Sequence, residues 1–315
     1  MNSSMELLDH VRLNFSPSGL LFLNIALAFI MFGVALGIKV SDFKDIVQKP
    51  KSAITGIISQ FLLLPLLTFL LVIVLKPTPT IALGMILVAS CPGGNISNFM
   101  SSMAKANAAL SVSLTAFATL SAVFMTPLNF AIWGNFYVKF YNNQSAQALL
   151  RPLEIDQYQM FETVFILLGI PVILGILFAS RFPETTQKII KPLRTASLLF
   201  FIVMVIAMLS ANFSHFMKFI HLVFFIVLLH NALALGTGFA FSTLMRRPSI
   251  DRRAITIETG IQNSGLALTL MFNPKIFPPE LELGGMAVIA AWWGIWHILS
   301  GLTMAGLWAR KPLIV

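Results

Sequence analysis

Two apolar stretches, each long enough to span a bilayer, are interrupted near the middle by polar and glycine-rich clusters. One reads Cys91-Pro92-Gly93-Gly94-Asn95-Ile96-Ser97-Asn98, the other Glu258-Thr259-Gly260-Ile261-Gln262-Asn263-Ser264-Gly265. Hydrocarbon offers no water to a broken backbone, so such interruptions survive at membrane depth only where they line a cavity or hold a ligand. The chain thus marks its own working site. Composition sets the class: 57% of residues are hydrophobic and 10% charged, with a mean hydropathy of +0.86, whereas soluble domains carry about 25% charged residues. An all-α polytopic membrane protein is expected, in contact with the lipid bilayer.

Hydropathy predicts nine transmembrane helices, at about 20–38, 52–75, 80–103, 108–134, 158–181, 196–214, 217–242, 252–274 and 284–308, each near the roughly 20 residues needed to cross the hydrocarbon. The first residues carry Glu6, Asp9, His10 and Arg12 and no basic leader, so no cleaved signal peptide is expected; Met5–Phe15 reads as a short interfacial helix. Residues 1–19 then form an outer segment and 309–315 a tail. Of the 21 Lys and Arg residues, Arg12, Lys76, Lys139, Arg151, Lys218 and Lys275 fall on the side of the N-terminus. The other fifteen, from Lys39 to Lys311, fall opposite. The positive-inside rule therefore places the N-terminus outside and the C-terminus in the cytoplasm. The net charge of +9 is a topology signal, and nucleic-acid binding is not implied. One cysteine excludes an internal disulfide. Asn-x-Ser sequons at Asn2, Asn14, Asn143 and Asn212 lie on the predicted outer side.

The interrupted spans are the third and the eighth, five crossings apart, so they run in opposite directions. Inverted repeats produce that arrangement, with discontinuous helices meeting near the midplane. Matching spans one to four with six to nine leaves the fifth unpaired. The parent architecture would have two five-helix repeats, and this chain would lack the first helix of the first.

Glu258 is the acidic residue set deep in a span. A charge there costs roughly 2.5–3.5 kcal/mol even on the lenient insertion scale, so it should face a cavity, a cation or a proton path. Gln262 follows four residues on, sharing its face if the turn continues, and Asn263 sits where Gly260 and Gly265 let the helix open. Together they offer hard oxygens suited to Na⁺. In the first break Pro92 removes a donor, the glycines permit close backbone approach, and Asn95, Ser97 and Asn98 supply neutral oxygens. Ser111, Thr115 and Thr119 form a narrow stripe in span four that either donates hydroxyl oxygens or lets helices approach. Gln60, alone in an apolar run, either completes an oxygen cage or makes an interhelical hydrogen bond. His230 and His297 lie mid-span; a neutral histidine bonded between helices is the commoner outcome for each. The enzyme motifs H-E-x-x-H, P-loop and nucleophile elbow are absent from the sequence.

Met31-Phe32-Gly33, Ser41-Asp42-Phe43, Cys91-Pro92-Gly93-Gly94 with Ser97-Asn98, Asn107-Ala108-Ala109-Leu110-Ser111, His230-Asn231 and Ile257-Glu258 to Gly265 together resemble the bile acid:sodium symporter family, from about residue 28 to 302. The resemblance implies a core (spans at about 52–134 and 217–308) whose two broken helices cross, moving against a panel (spans at about 20–38 and 158–214). It implies two Na⁺ ions. One would be held by Ser97, Asn98, Ser111, Thr115 and Glu258; the other by Gln60, Glu258, Gln262 and the carbonyls of Thr259 and Ile261. An organic anion, bile-acid-like or a small carboxylate, would sit near Asn95, Asn263 and His297. No obligatory protein partner is implied. The chain departs from bacterial members at Ile298, often Asn, and at Asn95, often Thr, so the anion's identity is not inherited.

Competing readings use other residues. An arsenite or anion exporter of related fold would employ Cys91 as a soft ligand and Glu258 as a relay. A channel would need a continuous polar pore, and one deep acidic residue supplies little of it. An intramembrane hydrolase would pair Ser264 with His297.

Overall fold

The computed structural model describes residues 17–48, 50–94, 96–140, 157–211, 213–273, 276–277 and 282–310, and every regular element among them is helical. The helices are α1 (Pro17–Ala35), α2 (Lys44–Gln48), α3 (Pro50–Ile58), α4 (Leu64–Leu75), α5 (Pro79–Ser90), α6 (Ile96–Met103), α7 (Ala108–Phe140), α8 (Gln157–Val164), α9 (Ile170–Arg181), α10 (Pro183–Ala211), α11 (Phe213–Leu244), α12 (Ser249–Gly260), α13 (Ser264–Met271) and α14 (Gly284–Arg310). Met5–Phe15, Asn95, the four sequon asparagines and the 311–315 tail lie outside the described residues.

Five helical runs among the described residues are long and apolar enough to cross a membrane: Pro50–Leu75, Ala108–Phe140, Met160–Arg181, Val223–Leu244 and Gly284–Arg310. Their outer faces carry bare apolar side chains such as Val74, Phe225 and Leu244. Water does not tolerate such a surface over several helices, whereas lipid does. The two sequence interruptions are real breaks. The first follows the end of α5 at Ser90 and includes the described residues 91–94, and the second separates α12 from α13 at 261–263.

Prolines shape the unbroken runs. Pro65 has no N–H for the Phe61 carbonyl one turn back, and a π-helical turn, Ser59–Leu63, precedes it. Asn129 of α7 donates Nδ2 to the freed Phe61 oxygen at 3.0 Å. A second π turn, Phe165–Gly169, comes just before Pro171.

Helix α5 is buried from Thr80 to Ser90 and packs against α4, α7 and α14. The approach to α14 is so close that a Cβ on Gly285 would lie 2.1 Å from Thr80 Oγ1, the small-residue contact typical of membrane helices. Helices α11 and α12 form an extensive hairpin, while α1 packs against α9 and α10. At the end bearing the α11–α12 turn, buried Asp251 accepts from Ser52 Oγ and Asn107 Nδ2, both at 2.7 Å. Arg253 donates to the carbonyls of Ala104 at 2.8 Å and Trp308 at 3.0 Å. These contacts pin the first turn of α12, where an acidic side chain also suits the helix dipole.

Candidate functional site

The two breaks are built alike and touch. Cys91 ends α5 with φ −98° and ψ 100°, and Ile261 ends α12 with φ −109° and ψ 97°. Both residues are therefore extended, which swings the chain out of its helix and frees carbonyls. The amide of Asn263 donates to the Cys91 carbonyl at 3.2 Å. Gly93 lies against the other strand: a Cβ there would come within 2.4 Å of the Ile261 oxygen and 3.1 Å of the Glu258 backbone oxygen. Only glycine permits that contact, because any side chain would strike a carbonyl rather than a yielding methyl group.

Glu258, on the last turn of α12, is buried, and its carboxylate is surrounded by hydroxyls from two other helices. Ser97 Oγ of α6 lies 2.7 Å from Oε2; from α7, Thr115 Oγ1 lies 2.8 Å from Oε1 and Ser111 Oγ 3.3 Å from Oε2. Asn98 Oδ1 accepts from Ser111 at 2.9 Å and from Thr115 at 3.0 Å. Ser97 Oγ also lies 2.8 Å from the Gly94 carbonyl. Three hydroxyl protons thus serve the two carboxylate oxygens, an amide oxygen and a carbonyl. The cluster is rich in lone pairs and short of protons. A hard cation suits it better than further donors would.

The residues expected at a second ion lie on the far side of the same break. Gln60, on the π turn before Pro65, places Nε2 3.5 Å from the Glu258 carbonyl. Gln262 does not share the Glu258 face, because α12 stops at Gly260 and the turn does not continue. Instead its Nε2 folds back to the Thr259 carbonyl at 2.8 Å, leaving its buried Oε1 without a hydrogen-bond partner. An unpartnered buried acceptor beside the backbone oxygens of Glu258 and Thr259 again fits a cation.

A cavity of about 850 Å³ adjoins both clusters. Asn98 and Thr115 line it from one and Gln262 from the other; Asn263 and His297, expected at the substrate, line it too. Asn95 is outside the described residues. Walls are apolar, including Leu27, Met31, Val34 and Leu168, and Asp42 is the one charged residue among the lining. His297 is buried with Nδ1 unpartnered, and Asn263 caps α13 by accepting the Leu266 amide at 3.0 Å.

His230 takes the commoner of its two expected roles, and the competing readings find no support in their residues. His230 does not line the cavity; its Nε2 lies 2.9 Å from Thr68 Oγ1 and its ring packs on Trp293. Cys91 is fully buried, does not line the cavity, and belongs to no cluster of potential metal ligands among the described residues. No hydrogen bond joins Ser264 to His297 among the described residues, and His297 Nδ1 stays unpartnered. Sequence reasoning overlooked Asn129 and Ser300 and assigned no role to Asn231. Asn231 donates to the Gly260 carbonyl at 2.9 Å and accepts from Ser300 Oγ at 2.6 Å. Pro65 was a usable signal for Asn129, since a proline in a span leaves a carbonyl in need of a donor.

Comparison with known proteins gives the family. The profile of the Sodium Bile acid symporter family matches residues 24–219. A Bacillus subtilis (strain 168) protein named as an uncharacterized sodium-dependent transporter, YocS, is 32% identical over 293 residues, 92% of this chain and 84% of its own. A rice chloroplastic protein named as a probable sodium/metabolite cotransporter, BASS2, is 30% identical over 85% of this chain and 63% of its own length. Mouse sodium/bile acid cotransporter 4 is 28% identical over 84% of this chain and 58% of its own. The chain belongs to the sodium bile acid symporter family, an integral membrane transporter rather than an enzyme.

Proposed function

We propose that this protein is a symporter that carries an organic anion together with two Na⁺ ions by alternating access. The observation that carries the reading is the Glu258 carboxylate, gathered by Ser97, Ser111 and Thr115 where two broken helices cross, beside a cavity. One Na⁺ replaces the overcommitted hydroxyl protons as partner of Ser97, Asn98, Ser111, Thr115 and Glu258. The second lies among Gln60, Gln262, Glu258 and the carbonyls of Thr259 and Ile261. The first ion joins α12 to α6 and α7 beyond the first break, and the second joins α12 and its own break to the π turn that carries Gln60, so loading both ties the crossing into one body.

The anion occupies the cavity near Asn263 and His297. No lysine or arginine is among the lining residues, so the negative charge is met by the positive ends of α6 and α13 and by the ions themselves. A bulky apolar body suits the apolar walls. Because each ligand improves the binding of the other by the same factor, sodium drives anion accumulation.

The same reading gives nine crossings between residues 20 and 308, arranged as two inverted repeats, with a core and a panel as the resemblance implies. The matching backbone of the two breaks supports the repeat. With the basic loops inside, the N-terminus lies outside. The cavity then faces the cytoplasm, since α1 lines it over its later half and α7 over its earlier half. Proteoliposomes with an imposed Na⁺ gradient, offered labelled bile acids and small carboxylates, test the proposal. Uptake driven by Na⁺ and not by K⁺ is expected, lost in Glu258→Ala. Full, Na⁺-dependent uptake by that variant would overturn it.

A further inference from the structure

The backbone carbonyls at the end of α12 have diverging partners. Ile257 still receives the amide of Ile261 at 2.9 Å. Thr259 receives the Gln262 side chain, and the oxygens of Glu258 and Ile261 face Gly93. The Gly260 carbonyl alone turns toward α11, where buried Asn231 takes it at 2.9 Å. In a segment leaving its helix for an extended conformation, consecutive carbonyls point to opposite sides. The Gly260 carbonyl is thus held to α11 while the next one, Ile261, faces the α5–α6 break.

Asn231 can bind this carbonyl in one orientation only. A carbonyl accepts and never donates, so Nδ2 must face Gly260 and Oδ1 must face away. Oδ1 is met there by Ser300 Oγ of α14 at 2.6 Å. Ser300 stands one turn beyond His297, whose backbone oxygen lies 3.1 Å from the same hydroxyl. A continuous polar path therefore runs from the carbonyls beside Glu258, through Asn231 and Ser300, to the helix that presents His297 to the cavity.

We infer that Asn231, oriented by Ser300, is a positioning residue that aims the Thr259 and Ile261 carbonyls at the second Na⁺ and links that ion to α14. The inference rests on the sodium-coupled reading above. Neither residue lines the cavity, so both act through the backbone they hold.

The test is Na⁺-dependent thermal stabilisation of the purified full-length protein, titrated against K⁺ at constant ionic strength. Stabilisation follows the ratio of free ion to its dissociation constant, so the titration reads affinity separately from fold stability. Asn231→Ala is expected to raise the half-saturating Na⁺ concentration about tenfold, and Ser300→Ala about threefold. Ser300→Thr keeps the hydroxyl and should restore a near wild-type value. The double alanine variant should be no worse than Asn231→Ala, because the two residues act in series. A lower melting temperature in K⁺ with unchanged half-saturating Na⁺ would overturn the inference and leave Asn231 a packing residue. Should Asn231→Ala fail to fold, the Ser300 pair decides alone. The wild-type titration separates the two levels: absence of any Na⁺-specific stabilisation there defeats the sodium reading, whereas its presence with both Asn231 and Ser300 variants unaffected defeats only this inference.

Discussion

Thr115→Val removes one hydroxyl from the first proposed ion site while keeping the shape of the side chain. In the present geometry that hydroxyl lies 2.8 Å from Glu258 Oε1 and 3.0 Å from Asn98 Oδ1, at a buried position. Valine fills nearly the same volume, so helix packing is kept and the loss is electrostatic. An interaction between a hydroxyl and a charged group is worth about 1.5–3 kcal/mol, which weakens Na⁺ binding on the order of tenfold to a hundredfold at about 1.4 kcal/mol per decade. Thr119 supplies the control. It lies one turn further along the same stripe and lines the same cavity, but its hydroxyl is spent on the Thr115 carbonyl at 2.8 Å. Thr119→Val should therefore shift Na⁺ affinity by less than about twofold. The assay is half-saturating Na⁺ for anion uptake in proteoliposomes. Equal effects of the two substitutions, or none from Thr115→Val, would refute the assignment of that stripe to the ion.

Gly93→Ala should press a methyl group against the Ile261 oxygen and drive the breaks apart, lowering stability by about 1–3 kcal/mol and abolishing cooperative Na⁺ dependence; the Hill slope of uptake checks this. Asn129→Leu should orphan the Phe61 carbonyl left free by Pro65 and loosen the π turn that presents Gln60, costing about 1–2 kcal/mol within the membrane, read as a lower melting temperature together with weaker Na⁺ stabilisation. Cys91→Ser should leave Na⁺-driven uptake within about twofold of wild type, because the thiol does not line the cavity and the hydrogen bond to the second break is made by the backbone carbonyl, which serine keeps; a variant dead in transport would revive the thiolate-based reading.

The site was legible where chemistry conflicts with the membrane. A glutamate, several amides and paired glycines in apolar spans announce themselves, and the breaks fall within the clusters that carry them. What escaped was the exact course of the chain between helices. Helical spacing puts Gln262 on the Glu258 face only if the turn continues; the helix ends two residues earlier, and the side chain turns back on Thr259 instead. Spacing predicts faces only while the turn persists. His230 follows its commoner expected role, a ring bonded between helices to Thr68 and packed on Trp293, although which helix supplies the partner was not legible. Partners separated by many residues, Asn129 with Phe61 or Ser300 with Asn231, depend on which helices become neighbours. No local pattern carries that information. The pinning of Asp251 by Ser52 and Asn107 has the same origin, three chain segments meeting at helix starts.

The central claim is that one carboxylate, Glu258, serves two sodium ions at the crossing of the breaks. Direct binding of radioactive sodium to the purified protein tests it most plainly. Two ions per wild-type molecule are expected, with high-affinity binding lost at both sites in Glu258→Gln. A Glu258→Gln protein that still binds either ion with wild-type affinity would contradict the account.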